Sequence, residues 1–179
     1  FAITAYARNA VWQDEISLWK DVIGKSPSKA RGYDNLGYMG YYKHGLLAEA
    51  IEAYKVALKI NPDLENAYIN LGLAYYKQGQ TDKAIEAYQK ALNLISNDAL
   101  VYNNLGLVYT QQNNIIQAID SYKNAIKINP DYADAHFNLG LAYIGKGMVA
   151  NAREEFWLVL RINPGHYQAA QFLNYISRH

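Results

Sequence analysis

The side chains best equipped for chemistry are few and poorly spaced for catalysis. The histidines are His44, His136, His166 and His179. None has a second ligand at metal-binding spacing, and no H-E-x-x-H helix motif occurs. His136 stands where related segments place a packing tyrosine, which predicts a satisfied, buried imidazole rather than a ligand. Gly37 to Gly40 reads G-x-x-G, but it lies inside a helical pattern and lacks the G-x-x-x-x-G-K-[ST] frame of a phosphate loop. No Ser/His/Asp set stands out. The absence of cysteine rules out disulfides and thiolate metal sites while leaving the compartment open. No cofactor is implied and no catalytic residue is nominated. What recurs is a carboxamide, at Asn35, Asn70, Asn104 and Asn138, each followed by Leu-Gly. A carboxamide has one acceptor oxygen and two N–H donors. A row of them can satisfy a polypeptide backbone without reading its side chains.

These asparagines are 35, 34 and 34 residues apart. A second phrase follows each: Ala50-x3-Tyr54-x2-Ala57, Ala84-x3-Tyr88-x2-Ala91, Ala118-x3-Tyr122-x2-Ala125 and Ala152-x3-Phe156-x2-Val159. Asn61-Pro62, Asn129-Pro130 and Asn163-Pro164 close three of the copies, and only Ser96 departs. A fixed period of this length is the mark of a repeat array, in which each unit buries its apolar face on its neighbours. Gly45, Gly79 and Gly147 stand where a first helix must end in a left-handed residue, and Asn113 takes that place in the third copy. Proline ends the second helix because it cannot continue one.

The pattern resembles the tetratricopeptide repeat, two antiparallel helices in 34 residues. The matching residues are Tyr68, Leu71, Gly72, Tyr75, Ala84, Tyr88 and Ala91, then Tyr102, Leu105, Gly106, Tyr109, Ala118, Tyr122, Ala125 and Pro130. A further copy supplies His136, Leu139, Gly140, Tyr143, Ala152, Phe156 and Pro164. The resemblance implies an all-α fold, an α-solenoid wound as a right-handed superhelix of antiparallel helix pairs. Residues 1–29 read as a degenerate repeat, with Trp19, Val22 and Pro27 at second-helix positions and Tyr6 at a first-helix one. Full repeats follow at 30–64, 65–98, 99–132 and 133–166, and 167–179 reads as a capping helix. Small residues are expected where paired helices cross, glycine against alanine, so a leucine at Gly72 would overpack the crossing by about 1–3 kcal/mol.

The first full copy has one residue more than the others, and the excess lies within residues 38–44. Two accommodations are open: a wide turn inside the first helix near Tyr38-Met39-Gly40, or a longer connection with Gly40 where tyrosine usually packs. Bulges of the first kind are often found at functional sites. Either re-aims Tyr41 and Tyr42 relative to Tyr75 and Tyr76.

The family resemblance implies a groove lined by first helices. The groove residues expected here are Asn35, Tyr38, Asn70, Leu73, Tyr76, Lys77, Asn103, Asn104, Leu107, Gln111, Phe137, Asn138 and Leu141. Asp34, Asn66, Ile69, Thr110, Asp134 and Ile144 share the pattern. The mixture suits a peptide or partner helix with apolar side chains. Second-helix lysines such as Lys55, Lys59, Lys90, Lys123 and Lys127 are expected on the outer face. The asparagine series is similar to the asparagine ladder of the O-linked N-acetylglucosamine transferase, which holds an extended polypeptide. It equally fits a family consensus in which the amides bond between neighbouring repeats. The carboxylate clamp of chaperone-tail receptors needs groove lysines and an arginine. Asp34, Tyr38, Leu100 and Asn104 stand at those positions, so an acidic C-terminal tail is not the expected ligand.

Arg8, Asn9, Trp12, Glu15, Leu18, Trp19 and Pro27 resemble the junction of transmembrane and tetratricopeptide-containing proteins related to glycosyltransferases. That resemblance implies an alternative, an extracytoplasmic arm recruiting acceptor proteins to a membrane enzyme. The chain begins at Phe1, as a piece of a longer protein would. The segment itself has no apolar run of the roughly 18 residues that cross a bilayer. Its +1 net charge, from 17 basic and 16 acidic residues without a basic run, leaves no electrostatic footprint for nucleic acid. The expected partner is a protein or peptide. Self-association through the terminal helices is a further reading that the sequence leaves open.

Overall fold

The structure, a computed structural model, describes residues 15–178. Every regular element among them is helical. They divide into two compact units, one ending at Ile95 and the other beginning at Ser96. The first unit contains α1 (residues 15–25), α2 (Ala30–Asn35), a π-helical turn (Leu36–Tyr41), a short 3₁₀ turn (Tyr42–His44), α3 (Leu47–Ile60), α4 (Glu65–Lys77) and α5 (Thr81–Leu94). The second contains α6 (Ala99–Gln111), α7 (Ile115–Ile128), α8 (Ala133–Gly145), α9 (Val149–Ile162) and α10 (Tyr167–Arg178). Within each unit, successive helices pack on one another. The readings of Tyr6, Arg8, Asn9 and Trp12 lie outside the described residues.

The local reasons for these helices are uniform. Each first helix ends on a left-handed residue, with φ of 77° at Gly45, 75° at Gly79, 58° at Asn113 and 73° at Gly147. The next N–H then turns back onto a tyrosine carbonyl: Leu46 to Tyr41 at 3.0 Å, Gln80 to Tyr75 and Met148 to Tyr143 at 2.9 Å, Asn114 to Tyr109 at 2.8 Å. This is the Schellman closure, which satisfies a carbonyl the helix end leaves open. It also makes Tyr41 the counterpart of Tyr75, so the extra residue lies before Tyr41.

There the chain takes the wide turn. The Tyr42 N–H reaches the Gly37 carbonyl, five residues back, as well as that of Tyr38. Gly40 faces α1, where an added Cβ would stand 2.9 Å from Leu36 Cδ1 and 3.2 Å from Ile16 Cγ1. A side chain at this point would push α1 away, so glycine permits the bulge to pack.

The core differs from expectation in one respect. The glycine of each N-L-G faces an aromatic ring, not an alanine. An added Cβ at Gly72 would meet ring atoms of Tyr88 at 2.7–2.9 Å, and at Gly37 those of Tyr54 at 2.5–3.0 Å. Gly106 and Gly140 meet Tyr122 and Phe156 in the same way. The flat ring covers the bare Cα, and all four rings are buried. The overpacking expected at Gly72 therefore falls on a tyrosine that has no room to move. In the degenerate repeat, Trp19 is half-buried and Val22 exposed, unlike the buried Tyr54 and Ala57. Terminal repeats depart from the pattern in this way.

Candidate functional site

The first helices carry the residues nominated from sequence. In the first unit, Asn35, Leu73 and Tyr76 are half-buried, while Tyr38 and Lys77 are exposed. In the second, Leu107, Phe137, Asn138 and Leu141 are half-buried, Gln111 is exposed, and Asn103 and Asn104 are buried. Apolar area on these faces is thus only partly covered.

The asparagines are not equivalent. Asn70 Nδ2 donates to Asp34 Oδ1 at 3.0 Å, and Asn138 Nδ2 donates to Asn103 Oδ1 at 3.0 Å. Each bond joins the sixth residue of one repeat to the fifth of the repeat before it. The amides of Asn70 and Asn138 thus tie neighbouring repeats, as the consensus alternative has it. Each keeps a second N–H and a carbonyl for other use. The fifth residues of the remaining repeats are Ile69 and Phe137, which carry no side-chain acceptor.

Around the π turn, the first unit gathers aromatic and acidic groups. Tyr38 and Tyr42 stack with centroids 5.9 Å apart and planes 13° from parallel. Lys43 Nζ lies 5.5 Å from the centre of the Tyr38 ring. Asp34 is 8% exposed. Burial pushes its carboxyl above the usual range, the Asn70 hydrogen bond opposes this, and the charge of Glu65 adds to the rise. Beneath, Tyr54 is fully buried, and its hydroxyl has no hydrogen-bond partner. Burial holds that phenol far above its ordinary value, with the charges of Asp34, Tyr42 and Tyr38 adding to the effect. Leaving a buried hydroxyl unpaired costs about 1–3 kcal/mol.

The second unit treats the matching hydroxyl differently. Tyr122 Oη lies 3.1 Å from Thr110 Oγ1, which also donates to the Gly106 carbonyl at 2.9 Å. Thr110, expected in the groove, is thereby engaged with the helix pair. Phe137 is engaged too. Its ring lies 5.7 Å from Phe156, 4.8 Å from His166 and 6.0 Å from Phe172 of α10. The capping helix thus draws Phe137 into an end cluster, in which Phe156 and Phe172 stack at 5.4 Å.

His136 is buried and fully partnered, Nδ1 to Glu155 Oε2 at 2.6 Å and Nε2 to the Pro130 carbonyl at 2.8 Å. Burial lowers its pKa. The Glu155 and Pro130 hydrogen bonds outweigh that, and the net shift is upward. Among the described residues, no three His, Asp or Glu side chains are grouped to hold a metal ion. The second-helix lysines are exposed, but Lys90 and Lys123 lie 5.8 Å and 5.9 Å from the rings of Tyr68 and Tyr143.

Two features were missed from sequence. One is the unpaired Tyr54 hydroxyl beneath Gly37, for which the sequence carried no signal. The other is Trp157, 62% exposed on α9. It borders a cavity of about 630 Å³ together with Arg153, Glu154, Leu158, Leu160 and Arg161. Tryptophan so exposed at a position next to the buried Phe156 follows no repeat consensus.

The chain's repeats, its ring-on-glycine crossings and its partly open first-helix faces define a class of helical-repeat proteins. Family models described as TPR repeat match residues 40–79, 74–113 and 106–147, and one described as Tetratricopeptide repeat matches 133–166. The chain belongs to the tetratricopeptide repeat family, whose members are typically non-catalytic scaffolds. It is similar to the crystal structure of MamA, with TM-score 0.80 and 30% identity over 90% of this chain and 94% of that one. It is also similar to pilF of Pseudomonas aeruginosa, with TM-score 0.75 and 27% identity over 86% and 69%. YrrB, described as a TPR protein with an unusual peptide-binding site, shares the fold with TM-score 0.73 and 22% identity over 88% and 81%. No curated protein sequence matches the chain. Among the described residues, no helix is long and apolar enough to cross a membrane.

Proposed function

We propose that the chain is a non-catalytic interaction scaffold whose first-helix faces bind a peptide or a partner helix. The observation that carries this reading is the incomplete burial of Tyr38, Leu73 and Tyr76 in one unit and of Leu107 and Leu141 in the other. Aromatic and aliphatic area beside carboxamides offers apolar contact together with backbone hydrogen bonding. The ladder reading narrows accordingly: Asn70 and Asn138 each spend one N–H on a neighbouring repeat. The membrane-arm alternative rests on the motif between Arg8 and Pro27 alone, and no geometry among the described residues adds to it.

The test uses the intact chain and peptides selected from a random dodecamer display. Combining Leu73→Ala with Tyr76→Ala should weaken the selected peptides about tenfold, a typical loss for removing anchoring side chains. Trp157→Ala, on a second helix, should leave them unchanged. Selected peptides indifferent to the first-helix substitutions would remove this reading.

A further inference from the structure

The aspartate at the fifth position of the first repeat has no structural need of its charge. In the second unit Asn103 holds the same position and accepts the same hydrogen bond, at the same 3.0 Å, with a neutral amide. Asp34 nonetheless keeps a carboxylate that is 8% exposed, accepts one side-chain hydrogen bond, and is paired with no basic group among the described residues. Buried charges are ordinarily paired. Among the described residues that pairing is missing, and a cation would supply it.

The surroundings suit one. Beside Asp34 the π turn stacks Tyr38 on Tyr42, giving an aromatic wall of which Tyr38 is 36% exposed. Ring faces attract ammonium and guanidinium groups. The chain already demonstrates this attraction, because the exposed Lys43 places its ammonium over the Tyr38 ring. Below, the ring of Tyr54 packs against Gly37, and its buried hydroxyl has no hydrogen-bond partner. An acid and, four residues on, the first ring of an aromatic pair thus stand where the extra residue widens the helix.

We propose that the first repeat takes a lysine or arginine side chain of the bound polypeptide, with Asp34 as counter-charge and the Tyr38–Tyr42 pair as aromatic wall. This deepens the reading of the first-helix faces as a polypeptide site and rests on it. Lys43 competes for the same aromatic face and yields it when the ligand's cation arrives.

The experiment uses the intact chain and heptapeptide sets with randomised flanks and a fixed central arginine, lysine, norleucine or glutamate. Binding is read by fluorescence anisotropy. The arginine and lysine sets should bind about tenfold tighter than the norleucine set, in the range of a charge-assisted contact on an aromatic face. Asp34→Asn keeps an acceptor for Asn70, as Asn103 does naturally, and should erase that preference without weakening the norleucine set. Lys43→Met should raise affinity for the arginine set about two- to threefold. Equal binding of all sets, or a basic preference that survives Asp34→Asn, overturns the proposal and leaves the polypeptide reading standing. If no set binds, N-acetyl-arginine N-methylamide is titrated while the Asn70 side-chain amide is followed by NMR. A shift that Asp34→Asn abolishes then retains the cation site and removes the polypeptide reading. No shift removes both.

Discussion

In the first unit the inter-repeat asparagine donates to an aspartate, and the tyrosine hydroxyl beneath it is unpaired. In the second unit the corresponding asparagine donates to an asparagine, and a tyrosine hydroxyl meets a threonine. The helical scaffolding is the same in both, down to the left-handed residue and the tyrosine carbonyl it closes on. The second unit shows what the repeat needs for stability. The first departs from it at the π turn, retaining a buried charge and an orphaned hydroxyl. Departures of this kind, where a local rule is broken and the third repeat shows it need not be, are the positions to test for function.

The largest expected effect tests the second unit's claim to be fully satisfied. His136→Ala removes an imidazole held on both nitrogens and leaves Glu155 without it, which should cost about 3 kcal/mol in denaturant unfolding. The pH dependence has a definite sign. With a folded pKa above 6.5, the imidazolium's contribution is complete below about pH 6.5 and is lost as pH rises through the folded value. The stability difference between the wild type and His136→Gln should shrink across that rise. A difference independent of pH between 5 and 9 would mean that His136 is not charged in the fold.

Next in size is the glycine under the ring. Gly72→Leu should destabilise by about 1–3 kcal/mol or more, because the buried Tyr88 ring cannot withdraw. A thermal melt unchanged from wild type would show that the ring is free to turn aside.

The hydroxyls give the sharpest contrast. Tyr122→Phe should cost about 1 kcal/mol, the worth of one hydrogen bond, whereas Tyr54→Phe should be neutral or stabilising by up to about 1 kcal/mol. Equal losses at the two positions would erase the distinction between the units. The smallest effect concerns Asp34. Its carboxyl is raised by burial, so ionising it opposes folding. Asp34→Asn should therefore stabilise by about 0.5–1 kcal/mol at neutral pH. The gap should close on acidification, as the wild-type carboxyl takes up its proton.

Much of this was legible in the residues themselves. The 34-residue period, the glycine closures and Asn113 as their substitute follow from backbone requirements that few residue types meet. The span of the extra residue followed from counting. Its form did not, because a helix and a connection absorb an extra residue equally well on paper. Spacing also gave Gly72 the wrong partner, alanine in place of Tyr88, since both recur on the second helix and only packing decides which covers the Cα. Phe137 was expected in the groove from its place in the repeat. The capping helix, a neighbour that inner repeats lack, draws it into the end cluster. The asparagines read alike in sequence, and became unequal only through what stands at the fifth position of the preceding repeat.

The exposed Trp157 has a spectroscopic consequence. Tryptophan stands at positions 12, 19 and 157, so the second unit holds a single such fluorophore. With 62% of its surface already in water, its emission is red-shifted in the native state and has little further to move on unfolding. Tryptophan fluorescence is therefore nearly blind to melting of the second unit. Losses caused by His136 or Tyr122 substitutions must be followed through backbone circular dichroism, where the disappearance of α6–α10 registers directly.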